Sequence, residues 1–231
     1  MPGPGRSFRK RFRRSPLAVI GAAVLLLFYA GALLAPFLAP YSMEEQDRER
    51  YYHPPSTIHF RDAEGQWVGP FVYGSRLVDP LRTEYEEDRS RRYPVRLLVR
   101  GAEYRILWLI PTDRHLLGVE APGRIFLLGS DQYGRDVFSR LLYGSRISLS
   151  VGLFGILLTY SLGLLVGGVA GYYGGRVDNL LMRLSEVMMS VPALYLILAL
   201  RAAFPDEIRS DLLYLTIVLI LSLVLLSLIH I

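Results

Sequence analysis

Residues 127–153 read LLGSDQYGRDVFSRLLYGSRISLSVGL, a polar and glycine-rich segment that leads directly into a long apolar run. The segment holds four glycines, two aspartates and three arginines, and no charged residue lies between Arg146 and Arg176. That uncharged stretch exceeds the about 20 apolar residues that a helix needs to cross a bilayer. The sequence therefore predicts a charged, turn-rich segment at the start of a membrane-spanning helix.

The composition indicates an integral membrane protein. The 231 residues are 52% hydrophobic, and the apolar residues gather in long runs. The chain has no cysteine, which excludes disulfides and thiolate metal sites. Its histidines show no metal-ligand spacing, and neither a GxxxxGK[ST] phosphate loop nor a GxSxG nucleophile elbow occurs. We therefore expect no catalytic, metal or cofactor site in this chain.

The net charge of +5 comes entirely from one end of the chain. Residues 1–16 carry six basic groups and no acid, residues 41–146 carry 16 arginines and 16 acids, and residues 147–231 carry four arginines and five acids. A basic tail before an apolar run follows the positive-inside rule, whereas a nucleic-acid-binding protein carries its basic patch on a folded face. Residues 1–16 are expected to be a cytoplasmic tail, with no nucleic-acid partner.

The apolar runs predict four membrane-spanning helices. The first, 17–39, has 23 residues and is too long for the apolar core of a cleaved signal peptide. It is expected to run outward, so that residues 40–146 form an extracytoplasmic insert. The rest of the chain, 147–231, is expected to form the membrane core. Its three spans are predicted at residues 147–175, 180–203 and 212–231.

The insert shows strand patterns. Residues 56–74 predict a β-hairpin that turns at residues 62–65. Further strands are predicted at 93–101, 104–111 and 124–129. A docking surface and a simple spacer are both compatible with this pattern.

Within the membrane core, small and polar residues suggest how the helices pack. Glycines spaced four apart allow close approach of helices in lipid, and a proline within a helix bends it. An acid and an arginine three residues apart near the inner end of the third span are expected to pair. These residues are Gly163, Gly167, Gly171 and Pro192 for packing, and Arg183 and Glu186 for the pair.

The opening stretch closely resembles the C-type inner-membrane permeases of dipeptide and oligopeptide ABC importers, whose pattern is approximately LGTDxxGRDVxSRxxYGxRxSLxVG. Ser130 replaces the usual threonine, and the segment GGVAGYYGGRVDNLLMRLSEVMMSVPALYL at 167–196 extends the likeness. The matching residues include Gly129, Asp131, Gly134, Arg135, Asp136, Val137, Ser139, Arg140, Tyr143, Gly144, Arg146, Ser148, Leu149, Val151 and Gly152.

The resemblance implies an all-α polytopic membrane protein of the type I ABC importer permease fold, with four of six expected spans and a small β-containing extracytoplasmic insert. It implies a plasma-membrane location and transport of peptides by alternating access, with ATP used only in partner subunits. The implied partners are a homologous second permease, two ATPase subunits and an extracytoplasmic peptide-binding protein. Similar permeases also carry nickel, glutathione and peptide antibiotics, so the substrate stays open.

The segment before the second span is expected to form an amphipathic elbow on the outer membrane surface, because its apolar residues fall at helical spacing. Arg135, Arg140 and Arg146 are expected to face headgroups or carboxylates. Gly144 is expected to let the chain turn into the membrane.

Residues 226–231, LSLIHI, match the translation of a transposon-end adapter used in library preparation, so native sequence is expected to end near Leu225 as a truncated permease. The alternative is that these six residues are the natural apolar end of the last membrane helix. The alternative function is a membrane-anchored extracytoplasmic binding or sensing domain without transport.

Overall fold

A computed structural model of the chain describes residues 12–106, 109–190, 192, 195, 198–199, 202 and 210–228. The chain divides into two compact units, Met1–Arg146 and Ile147–Ile231. The predicted basic tail falls mostly on residues 1–11, which lie outside the described residues, as do residues 229–231 of the final hexapeptide.

The first unit begins with an apolar helix, α1, at Pro16–Leu33. The Ser15 hydroxyl oxygen accepts a hydrogen bond from the Ala18 N–H, and Pro16 fits the first turn because its missing N–H would have no helical partner. A short helix, α2, follows at Ala35–Leu38. Pro36 cannot donate to the α1 ladder, which explains why the predicted span 17–39 consists of two helices.

Five strands form the rest of the first unit. The strands β1 (His59–Arg61), β2 (Trp67–Asp79) and β3 (Glu84–Pro94) form an antiparallel sheet in the order β1-β2-β3. The strands β4 (Arg96–Ile106) and β5 (Ile110–Gly118) form a separate antiparallel hairpin.

The structure corrects several of the strand predictions. The hairpin predicted at 56–74 is confirmed, because β1 pairs with β2 and the Asp62 N–H donates to the Gln66 carbonyl across the turn. The strands predicted at 93–101 and 104–111 are confirmed only in part: residues 96–101 and 104–106 are in a strand, but it is one strand, β4, which runs without a break through residues 101–104. The segment 124–129 belongs to no strand ladder, because its backbone bonds to side chains and to a neighbouring loop instead.

The expected fold class was an all-α membrane protein with a small β-containing insert. The structure corrects this expectation, because the β-sheet content of the first unit is substantial. The β2–β3 pair alone extends over strands of 13 and 11 residues. The core of the unit is small and consists of Val72, Val119 and Ile125, with Phe126 also buried.

The helices of the second unit are α3 (Val137–Tyr173, which begins in the first unit), α4 (Gly175–Ser190) and α5 (Ser210–Leu228). Helices α4 and α5 contact each other. Among the described residues, α1 and α3 are long and apolar enough to cross a membrane. The bounds of the third span expected at 180–203 differ from those of the observed helix. Helix α4 begins five residues before the expected span and ends before Pro192. Much of the remainder of the expected span lies outside the described part of the chain.

Candidate functional site: the junction before α3

We call residues 127–153, which carry the family pattern, the signature segment. The part of this segment that precedes α3 packs against the chain that follows α1. We call the set formed by residues 39–56 and 124–139 the junction. Hydrogen bonds connect its two segments at several points, for example from the Tyr52 N–H to the Asp131 carbonyl (3.0 Å) and from the Asp47 N–H to the Gly134 carbonyl (3.1 Å). The junction therefore fixes the exit of α1 relative to the first turn of α3.

Asp131 organises the turn at the centre of the junction. Its Oδ1 accepts hydrogen bonds from the N–H groups of Tyr133 (2.8 Å) and Arg135 (3.0 Å), and its Oδ2 accepts one from the Arg135 Nε (2.8 Å). The Arg140 Nε lies 3.7 Å from the same Oδ2. Partial burial raises the pKa of Asp131, but the hydrogen bonds from Arg135 and Tyr133 outweigh it and hold the pKa below its usual value. Two of the signature arginines thus face a carboxylate.

The two glycines of the turn are required by close backbone approach. Gly134 has a φ of +72°, and a Cβ added there would overlap the Asp47 carbonyl oxygen. Gly129 has a φ of +83°, and its Cβ would lie 2.6 Å from the His53 carbonyl oxygen. A side chain is excluded at both positions by conformation and by space.

Ser130 connects the two segments through both its backbone and its hydroxyl. The His53 N–H donates to the Ser130 Oγ (2.8 Å), and the Ser130 N–H donates to the His53 carbonyl (2.9 Å). The Ser130 hydroxyl donates in turn to the Arg50 carbonyl. Ser130 is buried, and a threonine hydroxyl provides the same donor and acceptor, which fits the single departure of this chain from the family pattern.

Asp136 and Ser139 hold the first turn of α3. The Asp136 Oδ2 accepts hydrogen bonds from both the N–H (2.7 Å) and the hydroxyl (2.6 Å) of Ser139, as in a helix N-cap. The Ser139 Oγ accepts a bond from the Tyr41 N–H at 3.3 Å. Burial raises the pKa of Asp136, although its bonds with Ser139 partly oppose the shift.

Tyr41 and Arg124 form a second link between the segments. The Ile125 N–H donates to the Tyr41 hydroxyl (2.8 Å), and the Arg124 guanidinium lies 4.8 Å from the Tyr41 ring centre. Arg124 also pairs with Glu45, and burial raises the pKa of Tyr41 to about 12. These residues border a cavity of about 540 Å³ that also contacts β4 and β5. Its charged groups are largely paired with one another.

The remaining signature residues lie on α3 itself, and the predicted elbow is wrong in one respect. Helix α3 runs through Gly144 without interruption, so the chain does not turn there. A single glycine costs a helix only about 1 kcal/mol relative to alanine, which its neighbours can offset. Tyr143 and Arg146 lie on the same helix and are half-buried, while Leu141 is exposed.

In the second unit, the three glycines spaced four apart differ in how deeply they are buried. Gly163 is buried, Gly167 is half-buried, and Gly171 is exposed with open space at its Cβ position. A buried polar contact instead joins α3 to α5. There the Thr159 hydroxyl donates to the Ser222 carbonyl (3.2 Å), and both residues are almost fully buried.

The other core residues named from sequence are separate from this contact. The Arg183 guanidinium and the Glu186 carboxylate pair at 2.9 Å on the exposed surface of α4. Pro192 lies beyond the end of α4, and its carbonyl accepts a bond from the Tyr195 N–H (3.0 Å).

Sequence reasoning missed the residues that receive the signature segment. Tyr41 and His53 were not proposed for it because they lie far from it in the chain. Thr159 was also missed, although its position four residues before Gly163 continues the small-residue spacing and was a usable signal.

Comparison with known proteins gives matches over both ends of the chain. Residues 3–55 match the N-terminal TM domain of oligopeptide transport permease C, and residues 163–231 match the binding-protein-dependent transport system inner membrane component. The chain is 27% identical over 191 residues to a dipeptide transport system permease protein of Bacillus subtilis, a match that covers 83% of this chain and 39% of the relative.

Two other relatives agree. A di/tripeptide transport system permease protein of Pseudomonas aeruginosa is 28% identical over 201 residues, covering 87% of this chain and 46% of that protein. A probable D,D-dipeptide transport system permease protein of Escherichia coli is 36% identical over 115 residues, covering 48% of this chain and 39% of that protein. The chain thus spans less than half the length of these relatives.

Proposed function

This chain belongs to the C-type inner-membrane permeases of peptide ABC importers, and we propose that its protein moves dipeptides or oligopeptides across the cytoplasmic membrane by alternating access. The observation that carries the proposal is the agreement of both ends of the chain with transport permease families, together with a permease signature that folds into a closed junction. The permease performs no covalent chemistry, and ATP is hydrolysed by separate subunits.

The topology that we propose has a cytoplasmic N-terminus, an extracytoplasmic insert at 40–146 and four spans within this chain. The basic excess before α1 and the absence of charge in α1 support the orientation. The 19-residue helix α5 is uncharged from residue 212 onward, which supports a span there.

The role that we propose for the junction is mechanical. Alternating access moves groups of helices as rigid bodies. A junction with buried hydrogen bonds and two obligatory glycines keeps the outer ends of α1 and α3 in one such body. Asp131, with its lowered pKa, stays ionised and paired with Arg135 throughout the neutral range.

The partners that we propose follow the family: a second permease, two ATPases and an extracytoplasmic peptide-binding protein. The names of the relatives support peptides as the substrate class, since they specify dipeptides, di/tripeptides and D,D-dipeptides. The chain is also 42% identical over 83 residues to a glutathione transport permease of Pectobacterium atrosepticum. The proposed substrate class therefore includes small modified peptides.

The test is uptake of a radiolabelled dipeptide or pentapeptide into proteoliposomes that contain the protein with the proposed partner subunits. We expect uptake that requires both ATP and the binding protein, with unlabelled peptide but not nickel ion as a competitor. ATP-dependent uptake of nickel without peptide competition would replace the substrate class. Peptide binding without any uptake would instead support an anchored sensing domain.

A further inference from the structure

The tip of the β4–β5 hairpin exposes apolar side chains where polar turn residues are usual. Ile106 pairs with Ile110, and the Leu109 N–H donates to the Ile106 carbonyl (3.0 Å). Leu109 is 80% exposed and Ile110 is 62% exposed. Hairpin turns normally carry glycine, asparagine or aspartate. Here residues 106–110 read ILWLI, with no polar residue at all.

The hairpin is fixed beside the chain that leaves α1. The His115 Nδ1 lies 2.6 Å from the Ala39 carbonyl oxygen, and α2 contacts both β4 and β5. Pro40 and Tyr41, further from α1, line a cavity with the hairpin base. The chain that leaves α1 therefore lies against both strands of the hairpin.

The surroundings of the tip suit the bilayer interface. Helix α1 exposes leucines along its length, for example Leu26 and Leu27 at 71% and 70%, and is long and apolar enough to span a membrane. Tyr104 and the exposed Arg105 immediately precede the tip. Aromatic residues gather at the membrane–water interface, and a guanidinium binds lipid phosphates well. Because the hairpin lies against the chain that leaves α1, lipid around the end of α1 is an apolar environment within reach of its tip.

We propose that this tip, formed by Ile106, Leu109 and Ile110, inserts shallowly into the leaflet next to the outer end of α1, with lipid as its partner. The insertion gives the first unit a second attachment to the membrane besides its helices. The inference goes beyond peptide transport and does not depend on it.

The natural absence of cysteine makes a direct test possible. A nitroxide label is placed at Leu109→Cys in the full chain, reconstituted into liposomes, and its collisions with oxygen and with a water-soluble nickel chelate are measured by electron paramagnetic resonance. The matched control is Leu81→Cys, because Leu81 is a 97% exposed leucine in the turn between β2 and β3, where Asp79, Arg82 and Thr83 are polar.

We expect the label at 109 to favour oxygen over the nickel chelate by several-fold more than the label at 81. Equal collision ratios at the two positions would overturn the proposal. Protection of the label at 109 from both reagents would also overturn it, since that result assigns the tip to a protein surface. Ile110→Cys provides an independent reporter should Leu109→Cys disturb folding, and the same outcomes apply to it.

Discussion

At the scale of single residues, the signature segment contains one glycine that a side chain cannot replace, Gly134, and one that it can, Gly144. This contrast gives a prediction. Gly134→Ala forces a non-glycine residue to a φ of +72° and places a methyl group against the Asp47 carbonyl. We expect the variant to lose at least about 2 kcal/mol of stability, because the left-handed conformation alone costs about 1–2 kcal/mol. The measurement is thermal unfolding of the detergent-solubilised protein, followed by size-exclusion chromatography of the remaining monodisperse fraction.

Gly144→Ala is the matched control within the same signature. Gly144 lies inside α3 with helical geometry and open space at its Cβ position. Alanine there should leave stability unchanged or raise it by up to about 1 kcal/mol. Equal destabilisation of the two variants would show that the close approach of Asp47 does not determine the glycine at 134.

His53 predicts a pH dependence of the first unit. Burial lowers its pKa below 6.5, and the charge of Arg50 lowers it further, whereas the bond with the Pro54 carbonyl and the charge of Asp47 oppose the shift. The imidazole packs on the rings of Tyr85 and Phe126. The unfolded chain therefore binds the proton more tightly than the folded chain does, so folding stability decreases as the pH falls below about 6.5.

The slope that results is at most about 1.4 kcal/mol per pH unit, and it vanishes above the unfolded pKa. The measurement is the midpoint of thermal unfolding between pH 5 and 8. His53→Phe keeps the ring contacts and removes the titration, so the difference between variant and parent should grow on acidification. A difference that is constant across this range would contradict the prediction.

At the scale of elements, the sequence predicted the strands whose apolar residues alternate. It did not predict a strand that is rich in charge, and it predicted a strand where a buried apolar loop is found. The β1–β2 hairpin was found from its alternation and turn. Strand β3 was missed because residues 84–94 contain seven charged residues, and charge is compatible with a strand that faces solvent on most of its length. Conversely, residues 124–129 are apolar enough for a strand, yet they form a buried loop whose N–H groups bond to Tyr41 and Ser56.

The junction could be predicted only in part for a related reason. The signature identifies its own residues, because glycine, aspartate and arginine at fixed spacing are specific. It does not identify the residues that receive them, since the partners of Ser130 and Gly134 lie 77 and more residues earlier in the chain. Spacing along a chain carries information about turns and helix faces, whereas contacts of this range depend on the fold.

The contact between α3 and α5 gives a prediction about helix packing. Thr159→Val preserves the shape of the side chain and removes the hydroxyl that donates to the Ser222 carbonyl. We expect a loss of about 0.6 kcal/mol, the average for polar contacts between helices in a membrane. Thr216→Val is the control, because the Thr216 hydroxyl bonds only within its own helix, to the Leu212 carbonyl. Unfolding in mixed micelles should separate the two variants, and indistinguishable curves would count against the contact.

At the scale of the whole molecule, the prediction concerns the number of times that the chain crosses the membrane. Helices α1 and α3 qualify by length and composition. Between residues 186 and 201 the sequence has no charge, a stretch somewhat shorter than a full span. The Arg183–Glu186 ion pair lengthens the stretch that can lie in the membrane, since the bilayer accepts a neutralised pair at a helix end far better than a lone charge.

Single cysteines in this cysteine-free chain distinguish a four-span topology from a two-span topology. The positions are Arg89→Cys in β3, Asn179→Cys in α4 and Ser210→Cys at the start of α5. With four spans, a membrane-impermeant maleimide should label positions 89 and 210 in intact cells, and position 179 only after permeabilisation. If α1 and α3 alone span, position 210 stays on the same side as 179, and its labelling then also requires permeabilisation. Labelling of 179 but not 89 from outside would reverse the orientation proposed from the basic tail, and with it the assignment of residues 40–146 to the outer side.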